Sequence, residues 1–207
     1  GNNLGIRARQ GAYVATLNND TEVEPGWLAA LVAGMEAAPR VGMCASKMLF
    51  LQQRERINST GIAVDRLGIA WDRDGGRRDA EAGLEPGEVF GPCAGAALYR
   101  RALLDETGGF DDSYFYLYED VDLAWRARLL GWRAWYCPAA RVYHVHAGAG
   151  TEGSPMKSYL LARNRIWTLI KDYPGPQWWL RLPLIWLYDL LAVGYSLLRR
   201  GDTQTLR

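Results

Sequence analysis

The chain has 207 residues, of which 49% are apolar, so it is long enough for one domain with a substantial core, or one domain plus an appendage. Its formal net charge of +1 gives no electrostatic reason to expect nucleic acid as a partner. The three cysteines, Cys44, Cys93 and Cys137, are far apart and form no CxxC pair. This spacing argues against a disulfide framework or a structural zinc site and favours a reducing compartment.

The first fifty residues follow the order strand, loop, helix, strand. The apolar run 11–17 predicts a buried strand, and Pro25 and Gly26 precede a helix predicted over residues 27–38. Residues 41–50 predict a second strand. This order is the signature of a βαβ unit and predicts a parallel α/β sheet.

The middle of the chain, residues 52–88, is charged and rich in glycine. It predicts an irregular stretch with a short strand over 62–64 and a mobile loop over 72–87. Regular structure is predicted again further on, as strands over 94–99, 133–137 and 141–146 and helices over 101–107, 119–130 and 155–173.

Residues 177–200 are rich in Trp and Leu but also carry polar side chains. On a helical wheel these polar residues share a stripe about 100° wide: Arg181, Asp189, Ser196, Arg199 and Arg200. A membrane-spanning helix needs roughly 20 apolar residues without such a stripe. The pattern predicts a helix that lies in the membrane interface, and docking of the same helix on the protein is the alternative.

A polar tripeptide, Asn18 to Asp20, follows the first predicted strand directly. In an open α/β sheet, ligands bind beyond the carboxyl ends of the strands. Asn18 and Asp20 are two residues apart and leave an extended chain on the same side, where their oxygens suit Mg²⁺ or Mn²⁺ bound to a diphosphate. Asn and Asp at such a place also commonly form an ordinary turn.

Acidic residues also begin the helix predicted over 119–130. Asp120 heads the apolar, core-facing stripe of that helix, whereas Asp122 lies on the other side, where it can pair with Arg126. The helix dipole accounts for acidic residues in a first turn. It accounts less well for a carboxylate on the inward face, which loses hydration unless it lines a cleft, where it can act as a general base.

Two further segments carry features of a site. His144 and His146 share one face at the end of a predicted strand, and imidazole suits a divalent metal or a phosphate. The run of small residues 91–97 lets a ligand or another backbone approach closely, and it is not a P-loop.

In their order along the chain, these motifs resemble glycosyltransferase family 2, and in particular its bacterial rhamnosyltransferase-like members. The segments that carry the resemblance are NLGI (3–6), LNNDTEVEPGWL (17–28), GPCAGAALYRR (91–101), GGFDDSYFYLYEDVDLAWRARLLGW (108–132), VYHVHAG (142–148) and SPMKSYLLARNRI (154–166). The resemblance implies a GT-A-like, Rossmann-related α/β fold. Its mixed, mostly parallel sheet is flanked by helices and followed by a C-terminal helical appendage.

The resemblance also implies a reaction and the residues that perform it. The expected enzyme is an inverting glycosyltransferase that moves a sugar from a nucleoside-diphosphate sugar to an acceptor hydroxyl in cell-surface polysaccharide synthesis. Asp20 and His144 are expected to hold a divalent cation, Mg²⁺ or Mn²⁺, against the donor diphosphate. Asp120 is expected to be the general base, with Glu119 assisting it. The resemblance assigns no role to His146.

The remaining residues that the resemblance implies bind the donor. Asn3 and Asn18 are expected to contact it, although Asn18 replaces the Asp of the family's strict metal motif. Arg163 and Arg165 are expected to neutralise phosphate charge, and a solvated helix face is the alternative for them.

The resemblance places the family's first βαβ segment, which binds the nucleotide base, before Gly1. We therefore expect little transferase activity from these 207 residues alone. The expected division is a partial catalytic domain over 1–153 and a helical region over 154–207. The expected location is the cytoplasmic side of the plasma membrane, with residues 177–200 on the lipid surface and a glycan or lipid-linked acceptor. A non-catalytic, membrane-associated module that binds sugar or nucleotide is the alternative, and a metallohydrolase is a second one.

Overall fold

The computed structural model describes residues 1–8, 10–145, 155–173, 175 and 177–200, and the side chains of 177–178 and 196–200 are not part of the description. Within these residues the helices are α1 (Asn2–Ala8), α2 (Trp27–Met35), α3 (Arg101–Thr107), α4 (Glu119–Leu129), α5 (Pro155–Asp172) and α6 (Gln177–Arg200). The strands are β1 (Tyr13–Leu17), β2 (Thr21–Val23), β3 (Val41–Phe50), β4 (Ile57–Ser59), β5 (Ile62–Val64), β6 (Ala70–Asp72), β7 (Gly87–Val89), β8 (Ala96–Arg100) and β9 (Arg133–His144). Short 3-10 helices occur at Asp79–Glu81 and Asp112–Tyr114.

Seven of the described strands form one mixed sheet. Its main order is β1-β8-β3-β9-β2, with β4 beside β3 and β7 beside β9, while β5 and β6 form a separate hairpin. Strand β3 is buried on both faces, as expected for a central strand covered by helices on each side. Helix α2 covers one face, where Leu31 and Met35 pack against Cys44 and Met48, and helices α3 and α4 cover the other.

The prediction of a mixed α/β sheet flanked by helices is confirmed, but the prediction that most of its strands pair in parallel is wrong. Of the six ladders of this sheet in the described residues, only β3 with β9 is parallel. Strands β1 and β3 do run in the same direction, as their βαβ order predicts. Strand β8 returns in the opposite direction and inserts between them.

Several predicted boundaries also need correction. The strands predicted over 133–137 and 141–146 form one strand, β9, whose register with β3 shifts between Ser46 and Lys47. Helix α1 and strand β2 were not predicted. The segment predicted as a mobile loop contains a 3-10 helix, and a backbone bridge joins Arg56 to Arg78.

Helix α5 packs on α4, and α6 packs on α5. Arg165 of α5 pairs with Asp189 of α6 at 2.5 Å, and Ile185 of α6 is buried. The polar residue Asp189 of the predicted stripe therefore faces the protein. Of the helices that the structure describes, none is both long and apolar enough to cross a bilayer.

Candidate active site

The first part of the site is the turn that follows β1. The backbone N–H of Asn18 donates to the carbonyl oxygen of Gly95, just before the neighbouring strand β8, at 2.9 Å. The Asn18 carbonyl accepts from the Thr21 hydroxyl at 2.6 Å, which closes the turn. Strand β2 then starts at Thr21, opposite His144 of β9, and this antiparallel pairing brings Asp20 beside His144.

Asp20 and His144 form a close pair. The His144 Nε2 atom lies 3.3 Å from Asp20 Oδ1, and the histidine and aspartate side chains are 13% and 25% exposed, respectively. On its other side, His144 Nδ1 lies 2.8 Å from the amide oxygen of Asn58, which is buried on β4. Sequence reasoning missed Asn58, because no motif marks it and only the β3–β4 pairing brings it to the histidine.

The Asn58 contact assigns the histidine tautomer. An amide oxygen only accepts, so with this orientation of the Asn58 amide His144 Nδ1 carries a proton. In neutral His144 the Nε2 lone pair then faces the Asp20 carboxylate. Two facing acceptors are stabilised by a cation or a proton between them. A carboxylate oxygen and an imidazole nitrogen are suitable ligands for a divalent transition ion. The donor set therefore fits the predicted cation.

The pair does not make a complete cation site. Within the described ranges no three His, Cys, Asp or Glu side chains form a group that could hold a metal ion. Two protein ligands suit an ion such as Mg²⁺, which commonly completes its shell with water and substrate phosphates. His146, the other histidine of the predicted pair, lies outside the described residues.

The second part of the site is the start of α4. Asp120 Oδ2 accepts from the backbone N–H of Ala94 at 3.1 Å, and Oδ1 accepts from the N–H of Val121 at 2.9 Å. Glu119 is beside it, with Oε2 buried and accepting no hydrogen bond in the part of the chain that the structure describes. The carboxyls of two successive residues thus lie partly enclosed at the edge of the sheet.

The electrostatics of this pair favour a base near neutral pH. Burial raises the pKa of Asp120 to about 7, and the Glu119 charge contributes to the same rise, while the Ala94 N–H opposes it. Burial also raises the pKa of Glu119. A carboxylate whose pKa lies near the working pH is suited to accept a proton from a hydroxyl.

The segment 91–95 joins the two parts of the site. Ala94 binds Asp120 through its N–H, and the next residue, Gly95, binds the turn after β1 through its carbonyl. Burial raises the pKa of Tyr116, and the charges of Glu119 and Asp20 add to that rise, so Tyr116 lies within electrostatic range of both parts. The predicted base and the turn that carries the predicted cation ligand are therefore linked through one short segment.

Small residues make this arrangement possible, as the sequence predicted. A Cβ on Gly91 would lie 2.4 Å from the Cβ of Ala124, so only glycine lets the segment run this close to α4. A Cβ on Gly95 would lie 3.2 Å from the Asn18 amide nitrogen. Cys93 lies in the same segment, and burial raises its thiol pKa well above the usual range, which argues against a nucleophilic role.

Asp72 is a carboxylate of the site that sequence reasoning passed over. It lies on β6 opposite Ile62, whose N–H donates to the carbonyl of Gly91 at 2.7 Å. Its charge contributes to the raised pKa of Asp120 and of Cys93. In the sequence Asp72 lies at the edge of a predicted loop, and only the pairing of β5 with β6 brings it near segment 91–95.

Two residues predicted to bind the donor have other partners. Asn3 is buried and bonds both to the backbone of Phe110 and to Asp112, which fastens α1 to the segment before α4. Arg165 is buried, donates to the Leu67 carbonyl and pairs with α6. These contacts make both residues structural, and no described contact supports a donor role.

Arg163 is also committed to a structural contact. It donates to the carbonyls of Ser113 and Tyr114 and stacks over the Trp167 ring at 4.5 Å. Like Arg165, it therefore lies neither on a solvated helix face nor beside the turn after β1. Its charge is directed to the backbone instead.

Two further predicted residues complete the comparison. Asp122 pairs with Arg126 at 2.6 Å, as predicted, and it is fully buried. Asn18 lies beside Gly95 in the turn after β1, and its contact with the donor stays a prediction.

The fold and the site define a GT-A-like α/β protein with carboxylates at the carboxyl end of β1 and at the start of α4. Two solved structures share this fold. GalNAc-T7 with UDP, GalNAc and Mn²⁺ has a TM-score of 0.59 at 19% identity, over 78% of this chain and 33% of that one. A mannosyltransferase of Pyrobaculum calidifontis, in complex with GDP-Man and Mn²⁺, has a TM-score of 0.52 at 16% identity, over 99% of this chain and 55% of that one.

Sequence comparison gives the family. The model of the glycosyl transferase family group 2 matches residues 13–200, so the chain belongs to that family. A curated relative, the N-acetylglucosaminyl-diphospho-decaprenol L-rhamnosyltransferase of Mycobacterium tuberculosis, is 30% identical over 210 residues. The match covers 94% of this chain and 66% of the relative, so the chain spans just under two thirds of that protein's length.

Proposed function

We propose that the protein is an inverting glycosyltransferase that moves a sugar from a nucleoside-diphosphate sugar to an acceptor hydroxyl. The observation that carries this proposal is that segment 91–95 contacts both parts of the site. Its Ala94 N–H binds Asp120, a carboxyl with a pKa of about 7, and its Gly95 carbonyl binds the turn that leads to the Asp20–His144 pair. Family membership supports the same reaction class.

In this proposal Asp120 accepts the proton of the acceptor hydroxyl as that oxygen attacks the anomeric carbon. The Ala94 and Val121 N–H groups hold the two carboxylate oxygens, so the base is oriented before the acceptor arrives. Glu119 assists by raising the proton affinity of Asp120. One base opposite the leaving group gives a single displacement with inversion.

Asp20 and His144 act at the donor end of the reaction. They would hold a divalent cation, which offsets the charge that develops on the leaving nucleoside diphosphate. Asn58 fixes the histidine ring so that Nε2 faces the carboxylate. The cleft of about 430 Å³ beside β1, lined by Thr16 and Leu17 and by α1, ends next to this turn and is the place proposed for the donor.

The finer assignment follows the relatives. The Mycobacterium tuberculosis relative, as an N-acetylglucosaminyl-diphospho-decaprenol L-rhamnosyltransferase, supports a rhamnose donor, a lipid-linked acceptor and a role in cell-surface polysaccharide synthesis. A transfer assay with the full-length protein and a set of nucleotide-sugar donors tests this assignment. Transfer from a glucose, galactose or N-acetylglucosamine donor, without transfer from a rhamnose donor, would correct it.

Helix α6 supports contact with a membrane surface, and the surface proposed is the cytoplasmic side of the plasma membrane. Its outward side chains are apolar and 53–79% exposed, and they include Trp179, Leu180, Trp186 and Leu190. Asp189 faces α5, which leaves these exposed apolar side chains on the outward side of α6. Tryptophan and leucine on one face of a helix suit the boundary between headgroups and acyl chains.

Vesicle sedimentation tests this membrane contact. Trp186→Glu should weaken binding to vesicles of anionic and zwitterionic phospholipid, because it buries a charge in the interface. Leu84→Glu, at a residue of similar exposure but far along the chain from α6, is the control and should bind as the wild type does. Equal binding by Trp186→Glu would remove α6 from the membrane contact.

The cation proposal is tested by donor binding. In the full-length protein, calorimetry with dTDP-, UDP- and GDP-sugars and Mn²⁺ should show binding that requires the ion. Asp20→Asn should weaken that binding by about tenfold or more. Glu22→Gln is the matched control. Glu22 lies two residues after Asp20 in the chain, but its side chain pairs with Arg54 on the surface. Metal-dependent binding that survives both Asp20→Asn and His144→Ala contradicts the assignment.

A further inference from the structure

The loop that leads into α4 has an unusual backbone. Phe115, Leu117 and Tyr118 have φ values of 64°, 67° and 69°, and none of them is glycine. Side chains rarely adopt this left-handed region, so a run of three in four residues persists only where other contacts impose it. The loop ends at Tyr118, immediately before Glu119 and Asp120.

One side chain of α5 binds three backbone carbonyls of this loop. Asn164 is fully buried, and its amide nitrogen donates to the carbonyls of Tyr114, Tyr116 and Leu117 at 3.1, 2.9 and 2.6 Å. An amide NH₂ has two hydrogens, so the three acceptors share them. The carbonyls thus converge on a single nitrogen, which a regular turn or helix does not require.

Neighbouring residues hold Asn164 and the loop in place. Arg163 donates to Asn164 Oδ1 at 2.9 Å and to the Tyr114 carbonyl at 3.0 Å. Thr168 bonds to the Tyr114 hydroxyl at 2.9 Å. This explains why the arginine predicted to bind phosphate points at the loop instead.

We infer that Asn164 is a positioning residue, which fixes the strained loop and thereby the carboxylates of Glu119 and Asp120. The inference rests on the proposed function for the role of Asp120. The loop is covalently continuous with the first turn of α4, where the Tyr118 carbonyl accepts from the N–H of Asp122 at 2.9 Å. If the loop relaxes to ordinary φ values, we expect that turn to rotate and Asp120 to lose its alignment with the Ala94 N–H.

The test variant is Asn164→Asp, which keeps the size of the side chain but removes its donors and presents oxygen to three carbonyl oxygens. Asn164→Ala is the second variant and leaves the carbonyls unpartnered without adding charge. Leu169→Ala is the matched control. Leu169 is a buried residue of the same helix that packs on Gly68, and its apolar side chain cannot donate to the loop carbonyls, so its loss destabilises α5 without removing a hydrogen-bond donor from the loop.

The first readout needs no transferase activity. In hydrogen exchange on the full chain, both Asn164 variants should exchange at least about tenfold faster over residues 113–121, and Leu169→Ala should leave those residues unchanged. Unchanged exchange over 113–121 in an Asn164 variant overturns the inference, whether or not the protein transfers sugar.

The second readout is kinetic, in the full-length protein. Asn164→Ala should lower kcat by about 100-fold with little change in KM for the donor, as expected when a base is misplaced while the donor still binds normally. The acid limb of the pH profile should move, because Asp120 becomes more hydrated. Leu169→Ala should do neither at a temperature below its melting point. An equal fall in kcat in both proteins at equal loss of stability contradicts the inference.

A rescue adds a test of the strain itself. Phe115 is 86% exposed, so Phe115→Gly removes little packing and lets the residue adopt its φ without strain. Added to Asn164→Ala, it should restore part of kcat. No restoration, with kcat equal to that of Asn164→Ala, contradicts the claim that strain moves the loop.

Discussion

The raised pKa of Asp120 predicts that an amide at this position gains stability relative to the wild type as the pH rises from 5 to 8. An unperturbed Asp titrates near pH 3.8, whereas burial and the Glu119 charge raise the pKa of Asp120 to about 7. Between pH 3.8 and about pH 7 the folded protein holds a proton on Asp120 that the unfolded chain has lost. The stability that this proton contributes is fully present below pH 3.8 and is lost as the pH rises through 7.

The size of the effect follows from the same two values. A tenfold difference in proton affinity is worth about 1.4 kcal/mol, so the part of the window between pH 5 and pH 8 is worth about 3 kcal/mol. Asp120 keeps some contact with solvent, which screens part of this. We therefore expect Asp120→Asn to gain about 1–2 kcal/mol more over the wild type at pH 8 than at pH 5.

Urea denaturation at the two pH values measures this difference, and the fluorescence of the nine tryptophans monitors unfolding. Asp172→Asn is the matched control. Burial and the charge of Asp122 raise the pKa of Asp172 to about 7 as well, but on α5, and its amide variant should show the same trend and keep transferase activity. The reasoning is refuted if the difference in unfolding free energy between Asp120→Asn and the wild type is equal at both pH values.

Three further predictions follow from the site and its support. Because Asp120 must be ionised to act, kcat/KM should fall about tenfold from pH 8 to pH 6, and a flat profile over that range contradicts its role as base. Gly91→Ala should cost about 1–3 kcal/mol of unfolding free energy, since its Cβ meets Ala124 at 2.4 Å; a variant as stable as the wild type in urea contradicts this. Lys171→Met should cost about 2 kcal/mol in the same assay because it removes a cation 2.6 Å from the fully buried Asp122, and unchanged stability contradicts that expectation.

Local signals in the sequence were sufficient for most elements of the fold. The apolar runs indicated β1 and β3. The small residues indicated β8, the glycines after residue 107 indicated the end of α3, and the acidic residues from 119 indicated the start of α4, all close to the observed bounds. Those signals do not indicate which strands pair. Strand β8 lies between β1 and β3 because of long-range packing, and no periodicity in either strand indicates an antiparallel neighbour.

The candidate site was predicted in part for the same reason. Asp20, His144 and Asp120 each lie at a strand end or a helix start, where a local pattern can be recognised. Asn58 and Asp72 come near the other site residues only because their strands pair with β3 and β5, so no local pattern indicates them. The phosphate role predicted for Arg163 and Arg165 rests on their charge and on the family resemblance, and neither indicates the backbone carbonyls to which both side chains donate.

The base itself is tested by Asp120→Asn in the full-length protein, with donor binding and sugar transfer measured side by side. We predict that transfer falls at least about 1000-fold while the donor and Mn²⁺ bind as tightly as in the wild type, because the amide keeps the shape of the site but cannot accept the proton. Retained transfer, or loss of donor binding in parallel with loss of transfer, would contradict the assignment of Asp120 as the base.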